Sequence, residues 1–345
     1  MNLPQITYLT ALLIMLGYIL HIGKPVILPV LIALIALYIL SNVTDRLGRV
    51  PVIGRLPALL RRLIVLLAFT VLTVLSFAYL ADTFTQVAAA LPGYESNIDA
   101  LVLRAAHVFG IEDQPTWAKV RSATIDRFQV QSYIGPVLLS LRGFGGTLFL
   151  VTLYAFFMMA ERAVMARKLA NAFGDPERET RTIALFERIN TRVGDYLSVK
   201  TVVNIILGLL SYGVLLIFGI DFALFWAILI GLLNYIPYIG SLIAVIFPVL
   251  LSLAQTGSYS AASMVAVGLT VAQMFVAGYL EPRMMSRTFN LSPFVVLFAL
   301  AFWGALWGLP GAVLAVPLTA SMIIVLAEIP ATRPIAILLS ASGRL

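Results

Sequence analysis

Cysteine is absent from this chain of 345 residues, and histidine occurs only twice. Without thiols the chain forms no disulfide and no thiolate metal site, and we expect no metal and no other cofactor. Charged residues are scarce too, since they make up 11% of the chain, whereas soluble domains have about a quarter. The composition therefore excludes an ordinary soluble domain.

The signatures of several enzyme classes are also missing. The chain has no glycine loop for ATP, no H-E-x-x-H pair for zinc and no G-x-S-x-G turn for a serine nucleophile. Its histidines are His21, at the end of an apolar run, and His107, in a polar region, so a buried Ser-His pair is not expected. We predict that the protein is not an enzyme.

Long apolar runs fill most of the chain instead. Apolar residues account for 61% of the sequence, and a helix of about 20 residues suffices to cross a bilayer. The fold class that follows is all-α, a polytopic membrane protein with about six full spans and two further segments broken by proline and glycine. The six predicted spans are 5–22, 25–41, 62–81, 144–160, 201–219 and 259–280. Residues 1–23 lack the basic start of a signal peptide, and we expect them to be retained.

The two broken segments are residues 222–254 and 293–326. The first is interrupted from Asn234 to Gly240 and again at Pro248, and the second is interrupted from Gly308 to Gly311 and again at Pro317. At about 1.5 Å per residue, helices of this length exceed a hydrocarbon core of about 30 Å, so each segment either folds back as a re-entrant hairpin or kinks. Lipid cannot satisfy the backbone groups freed by a break, and paired broken segments are typical of transporter substrate sites.

The charges are confined to the connections between spans. Residues 42–62 contain five arginines against one acid, and residues 161–200 contain eight basic residues against six acids. The positive-inside rule places both regions and the two chain ends in the cytoplasm, and it places residues 82–142 outside. The net charge of +7 therefore reflects membrane topology, and no nucleic-acid partner is expected.

The pattern of spans and charged connections divides the chain into five parts. Residues 1–81 hold three spans and the basic loop 42–62, and residues 82–142 form a small helical region that is either a cap or oligomer contact, or a solvated connector. Residues 143–200 combine the fourth span with an amphipathic helix at the cytoplasmic face, because apolar residues recur there at helical spacing. Residues 201–328 are the predicted transport core, and residues 329–345 are a cytoplasmic tail.

Several short motifs accompany the breaks. They are N-x-I-P-x-x-G at Asn234, Ile236, Pro237 and Gly240, then Glu281-Pro282, L-x-P at Leu291 and Pro293, and G-x-x-G-x-x-L-A-x-P at Gly308, Gly311, Leu314, Ala315 and Pro317. In these motifs the chain resembles the AI-2E transporter family of bacterial inner-membrane proteins. The resemblance implies a multi-pass protein that exports or exchanges a small polar solute and assembles as a homo-oligomer. The best-known solute of the family is the quorum-sensing signal autoinducer-2, while some relatives are linked to Na⁺/H⁺ antiport.

Three functions remain open from the residues themselves. The interiors of the ordinary spans contain no acid, and Asp221, Glu281 and Glu328 lie at segment ends, which disfavours a cation/proton antiporter. A neutral or weakly anionic solute needs hydroxyl and amide partners, which the breaks supply. We therefore favour secondary transport or facilitated efflux of a small polar solute. The alternatives are a Na⁺/H⁺ antiporter and a non-transporting scaffold in which the breaks are packed solid.

The predicted solute path follows the two breaks. Its candidate residues are Asn234, Tyr235, Pro237, Tyr238, Gly240, Ser241, Gly308, Pro310, Gly311, Pro317 and Thr319, and Glu281 is the candidate for coupling or gating. Each type has a plainer alternative, since Asn caps helices, Tyr lies at membrane interfaces, Gly lets helices approach, and a Glu that opens a connector is solvated. Four polar residues in apolar runs, Thr319, Ser321, Asn204 and Gln273, are expected to bond to neighbouring helices.

Overall fold

The computed structural model describes residues 3–49, 55–108, 145–161, 168, 176–285 and 290–343. The α-helices of this part are, in chain order, α1 Leu3–Ile22, α2 Lys24–Leu47, α3 Ala58–Ala90, α4 Glu95–Val108, α5 Gly145–Glu161, α6 Pro176–Ile217, α7 Ala223–Leu233, α8 Ile239–Thr256, α9 Tyr259–Phe275, α10 Pro293–Trp307, α11 Leu309–Glu328 and α12 Arg333–Leu339. A 3₁₀ turn at Leu91–Tyr94 joins α3 to α4, and a π-helical turn at Val276–Leu280 joins α9 to the short helix Glu281–Met284. Most of the region predicted to lie outside the membrane, residues 109–142, falls beyond the described residues.

Six helical stretches of the described chain are long and apolar enough to cross a membrane. They are Lys24–Leu47, Ala58–His107, Thr180–Ile217, Ile239–Thr256, Tyr259–Met284 and Leu309–Glu328. The all-α, polytopic fold class is therefore confirmed. A helix covers every span predicted from the sequence, although α5 is shorter than a full crossing and two of the six stretches are the second halves of the broken segments.

Both predicted breaks are present, and each divides its segment into a helical hairpin. The first separates α7 from α8 at residues 234–238, and the second separates α10 from α11 at Gly308. In the first hairpin the rings of Trp226 and Phe247 stack at 6.3 Å, and in the second Trp303 Nε1 donates to Thr319 Oγ1 at 3.1 Å. The 11 residues of α7 extend only about 16 Å at 1.5 Å per residue, so this arm cannot cross a bilayer.

The further interruptions predicted at Pro248 and Pro317 are wrong. Both prolines are buried inside continuous helices, α8 and α11. A proline removes only one backbone N–H, and neighbouring helices and hydroxyl side chains compensate for that loss in membrane helices. In α11, Ser321 Oγ donates to the Pro317 carbonyl oxygen at 2.7 Å, so this hydroxyl forms its hydrogen bond within its own helix.

The chain divides into two compact units, each built from separate parts of the sequence. Unit 1 comprises Met1–Thr70, Gly146–Ser198 and Arg287–Leu345, and unit 2 comprises Val71–Gly145 and Val199–Ser286. The first hairpin belongs to unit 2, and the second belongs to unit 1. The helix α6 contributes to both units, because it runs for 42 residues and the units divide within it, between Ser198 and Val199.

The core of unit 2 is formed by the C-terminal part of α6 together with α7, α8 and α9. Its fully buried apolar side chains include Val203, Leu207, Ile230, Val265 and Leu269. The backbones of α6 and α7 approach closely, because a Cβ at Gly208 would lie 3.2 Å from the Ala227 carbonyl oxygen and one at Gly231 would lie 3.0 Å from that of Asn204. Small residues thus let the two helices pack backbone to backbone.

Unit 1 has two apolar clusters that share α2. One packs α2 against the start of α3 and against α5, through residues such as Leu37, Leu66 and Val151. The other packs Leu28 of α2 against Trp307 and Leu314 of the second hairpin. The Trp307 indole donates from Nε1 to the Leu20 carbonyl oxygen at 2.9 Å, which ties the hairpin to α1.

Candidate functional site

The first break satisfies most of its own backbone groups. Helix α7 ends at Leu233, and the N–H groups of Asn234, Tyr235 and Ile236 donate to the carbonyls of Ile230, Leu232 and Leu233. The amides of Ile239 and Gly240 donate within the same turn, to Pro237 and Ile236. The break therefore offers few free backbone donors, and its polar character comes from side chains.

Two residues of this turn have special backbone requirements. Tyr238 adopts φ 62° and ψ −59°, a positive φ that is rare for a residue with a side chain, and its ring is exposed. At Gly240 a Cβ would lie 1.8 Å from the Leu233 carbonyl oxygen, so the second helix starts in direct backbone contact with the end of the first. Only glycine permits this approach.

Asn234 makes a buried contact with the neighbouring helix α6. Its Nδ2 donates to Asn204 Oδ1 at 2.8 Å, and both side chains are buried. The alternative that Asn234 caps the next helix is wrong, because the residue at the N-terminal cap of α8 is Tyr238 and no side chain caps it. The prediction that Asn204 bonds to a neighbouring helix is confirmed.

Two other polar side chains of the turn also form hydrogen bonds. The Tyr235 hydroxyl and Thr201 Oγ1 lie 2.7 Å apart, which gives α6 a second polar contact with the break. Ser241 Oγ donates to the Tyr238 carbonyl oxygen at 2.9 Å, within the turn itself. Tyr235, Pro237 and Ser241 are all half-buried.

A partly buried ion pair lies at the start of the short helix Glu281–Met284. Lys200 Nζ and Glu281 Oε1 are 2.8 Å apart, and the two side chains are 6% and 23% exposed. Glu281 follows the π-helical turn, which holds more residues than an α-helical turn and so changes the face on which the next residues lie. Glu281 is therefore paired with Lys200 and only partly exposed, and both interpretations of this residue stay predictions.

In the described part of unit 2, five buried polar side-chain atoms have no hydrogen-bond partner. They are Asn204 Nδ2, Ser211 Oγ, Trp226 Nε1, Ser252 Oγ and Gln273 Nε2. Most buried polar groups in native proteins are satisfied, so each exception needs an explanation such as an ion, a water molecule or a function. Together with Lys200, the residues Asn204 and Ser211 form a polar stripe on the buried side of α6.

The second break, in unit 1, is formed by a glycine conformation and a close backbone approach. Gly308 adopts φ 70° and ψ −145°, a conformation open only to glycine, and Pro310 fits the first turn of α11, where no N–H is required. A Cβ at Gly311 would lie 2.0 Å from the Trp303 carbonyl oxygen. Thr319 is buried and bonds to Trp303 as predicted for a polar group between helices. The break is thus a close-packed hairpin tip.

The other two acids at segment ends also have partners. Glu328 Oε1 and Oε2 lie 3.0 Å and 3.7 Å from the guanidinium groups of Arg181 and Arg188. Asp221 Oδ2 accepts from the Tyr94 hydroxyl at 2.6 Å. Among the described residues no group of three or more His, Asp or Glu side chains is arranged to hold a metal ion.

Sequence reasoning missed Lys200, Ser211, Trp226 and Ser252 as site residues. One signal was available, because Lys200, Asn204 and Ser211 recur at helical spacing on one side of a largely apolar helix. Nothing local distinguishes Trp226 or Ser252, whose unpaired atoms depend on which helices surround them.

Comparison with known proteins identifies the family. A family model described as "AI-2E family transporter" matches residues 9–331. The chain belongs to the AI-2E transporter family. Membrane transport is therefore its general function, and the chain is a multi-pass membrane protein. The scaffold alternative is set aside on this ground.

Three relatives of this AI-2E transporter are also named as transport proteins. The AI-2 transport protein TqsA of Escherichia coli (strain K12) is 28% identical over 99% of this chain and 96% of TqsA. A protein of Borreliella burgdorferi named "Putative transport protein" is 35% identical over 66% of this chain, and one of Haemophilus influenzae with the same name is 34% identical over 61%. These two matches span 62% and 60% of the relatives' own lengths, less than two thirds in each case.

Proposed function

We propose that this AI-2E family transporter carries a small polar solute by secondary transport or facilitated efflux, with the path running through the core of unit 2. Autoinducer-2 is one candidate, because TqsA, which is similar over nearly the whole chain, is named as its transport protein. The reaction is movement of the solute and not its chemical conversion.

The observation that carries the proposal is the hydrogen bond between Asn204 and Asn234. A carboxamide pair buried among apolar side chains costs desolvation free energy, and within a membrane protein such polar groups are retained for function. This pair lies where a broken helix meets α6, and broken helices line the substrate sites of many transporters.

The experiment is solute flux through the purified protein in liposomes, with a panel of radiolabelled polar metabolites that includes autoinducer-2. Asn234→Ala should lower the flux of the transported solute at least tenfold while the protein still assembles, as judged by gel filtration in detergent. Asn290→Ala, which removes an exposed asparagine amide in unit 1, is the matched control and should transport at the wild-type rate. Equal flux in Asn234→Ala and Asn290→Ala would place the path elsewhere.

Cation/proton antiport is the second candidate, and the Lys200–Glu281 pair is the observation that favours it. A half-buried carboxylate held by a lysine can exchange its partner for a proton or Na⁺. Liposomes with an imposed pH or Na⁺ gradient separate the two functions. If flux of the polar solute needs neither gradient in the wild type or in Glu281→Gln, the antiport candidate fails.

The proposal also covers the location, assembly and orientation of the protein. We expect it in the bacterial inner membrane as a homo-oligomer in the lipid bilayer, with both termini in the cytoplasm, since the arginines of residues 42–62 favour the inner side.

A further inference from the structure

A shallow apolar crevice lies between the start of α3 and the end of α5, within unit 1. The two helices run antiparallel, because Arg62 Nη1 lies 3.4 Å from the Met159 carbonyl oxygen and Thr70 Oγ1 lies 3.2 Å from Thr152 Oγ1. The buried side chains of Leu66 and Met159 form the floor of the crevice.

The rim of the crevice is apolar and open. Leu59 and Leu63 are 57% and 38% exposed on the α3 side, and Phe156 and Ala160 line the α5 side. Arg62 begins the apolar run of α3, so the crevice lies where the hydrocarbon of the bilayer meets the headgroups. An acyl chain of a neighbouring lipid can therefore lie along it.

Arg62 forms the polar end of the crevice. Its side chain is half-buried, and its guanidinium donates a hydrogen bond to the Met159 carbonyl oxygen but forms no ion pair with a carboxylate of the described residues. Glu161, two positions beyond Met159, is instead paired with Lys168 at 3.2 Å. Because a guanidinium has five N–H donors, most of those of Arg62 are available to an anionic ligand.

Other arginines extend the positive charge beside Arg62. Arg61 Nη1 lies against the end of α2, where a Cβ at Gly48 would meet it at 3.2 Å, and Arg49 and Arg55 are exposed. Guanidinium groups match the oxygens of a phosphate, and basic pockets between membrane helices bind anionic headgroups. A headgroup that ends in an ammonium group would meet charge of the same sign.

We propose that the crevice binds an anionic phospholipid of the phosphatidylglycerol type, with one acyl chain along the crevice and the headgroup phosphate on Arg62. The apolar rim and the arginine without a carboxylate partner match the two chemical parts of such a lipid. The inference does not depend on which solute the protein carries.

Native mass spectrometry of the delipidated full-length protein in detergent tests this site, because it resolves each bound lipid molecule. Dioleoyl phosphatidylglycerol should bind about tenfold more tightly than dioleoyl phosphatidylethanolamine. Arg62→Gln should weaken binding of phosphatidylglycerol about fivefold, the usual contribution of one basic residue near a membrane surface. Arg62→Lys keeps the charge and should bind the lipid more tightly than Arg62→Gln. Arg104→Gln is the matched control, because Arg104 also donates from Nη1 to one backbone carbonyl oxygen, that of Gly257, at 3.3 Å.

A second variant tests the crevice itself. Ala160→Phe fills the crevice from its exposed rim and leaves Arg62 in place, so it should weaken binding of phosphatidylglycerol severalfold. Ala78→Phe adds the same bulk at an exposed position of α3 outside the crevice, and it should bind the lipid like the wild type. Gel filtration in detergent checks that every variant assembles.

Three outcomes would overturn the proposal. The first is equal affinity for the two lipids, or an Arg62→Gln variant that binds phosphatidylglycerol no more weakly than Arg104→Gln. The second is unchanged binding in Ala160→Phe, which would mean that the arginine holds the headgroup without the crevice. The third is displacement of the lipid by an equal concentration of sn-glycerol 3-phosphate, which has the phosphate but no acyl chain and would then show that the ligand is a soluble phosphate compound.

Discussion

Removing one member of the Lys200–Glu281 pair should destabilise the protein far more than removing one member of an exposed pair. At 2.8 Å and an effective dielectric constant near 20, the gross attraction is about 6 kcal/mol. Desolvation offsets most of this attraction in the intact protein, but the loss of one partner leaves a buried charge unpaired, at a cost of about 3–5 kcal/mol. Since Glu281 is 23% exposed, we expect Lys200→Met to cost about 3 kcal/mol, the lower end of that range.

The chain contains a matched control for this prediction. Lys168 and Glu161 form a pair of the same chemistry at 3.2 Å, with side chains 57% and 52% exposed. Exposed pairs contribute about 0–1 kcal/mol, so Lys168→Met should change the free energy of unfolding by less than about 1 kcal/mol. Unfolding in SDS, followed by the fluorescence of the four tryptophans, measures both variants.

A double-mutant cycle completes the test. The variant with both Lys200→Met and Glu281→Gln has no unpaired charge, so its stability should exceed the value expected from adding the two single losses by at least about 2 kcal/mol. If Lys200→Met costs no more than Lys168→Met, or if the losses simply add, the pair is not buried as the structure has it and the physical argument fails.

Two further predictions concern the hairpins. Gly240→Ala and Gly311→Ala place a Cβ 1.8 Å and 2.0 Å from a carbonyl oxygen, so each should lower the free energy of unfolding by about 1–3 kcal/mol in the same SDS assay. Gly304→Ala is the control, because its Cβ would lie 3.9 Å from its nearest neighbour and should leave the stability nearly unchanged. Stability losses equal to that of Gly304→Ala would show that the hairpin tips are looser than described. If the first hairpin is re-entrant, Arg283 lies on the cytoplasmic side, and a cysteine at this exposed position in the cysteine-free chain should react with an impermeant maleimide only after the cells are opened. Labelling of intact cells would contradict the hairpin topology.

The helices and their breaks were predictable because their causes are local. A run of about 20 apolar residues forms a membrane helix whatever surrounds it, since only a helix satisfies its own backbone in lipid. Gly308 requires a positive φ, and Pro310 cannot continue a preceding helix, so residues close in sequence define the second break. Pro248 and Pro317 were misjudged for the opposite reason, because a proline inside a helix is tolerated when neighbouring groups compensate for it, which depends on the surrounding helices.

The site was only partly predictable. Asn234 was recognisable from its place in the break, but its partner Asn204 lies 30 positions earlier on another helix. Lys200 belonged to a region rich in charge that suggested the membrane surface, and it is buried because antiparallel packing of α6 and α9 places Glu281 beside it. Residues so far apart in sequence carry no local sign that they will meet.

The sequence alone determined three properties of this protein. The length of its apolar runs makes it a helical membrane protein, the backbone limits of proline and glycine set where its helices break, and short motifs indicate its family. Only the tertiary structure decided which polar groups lie together and which have no partner. Whether the amide of Gln273 or the indole of Trp226 is satisfied depends on the atoms that neighbouring helices place around it. For that reason the unpaired polar groups are a property of the packed bundle and of no single segment.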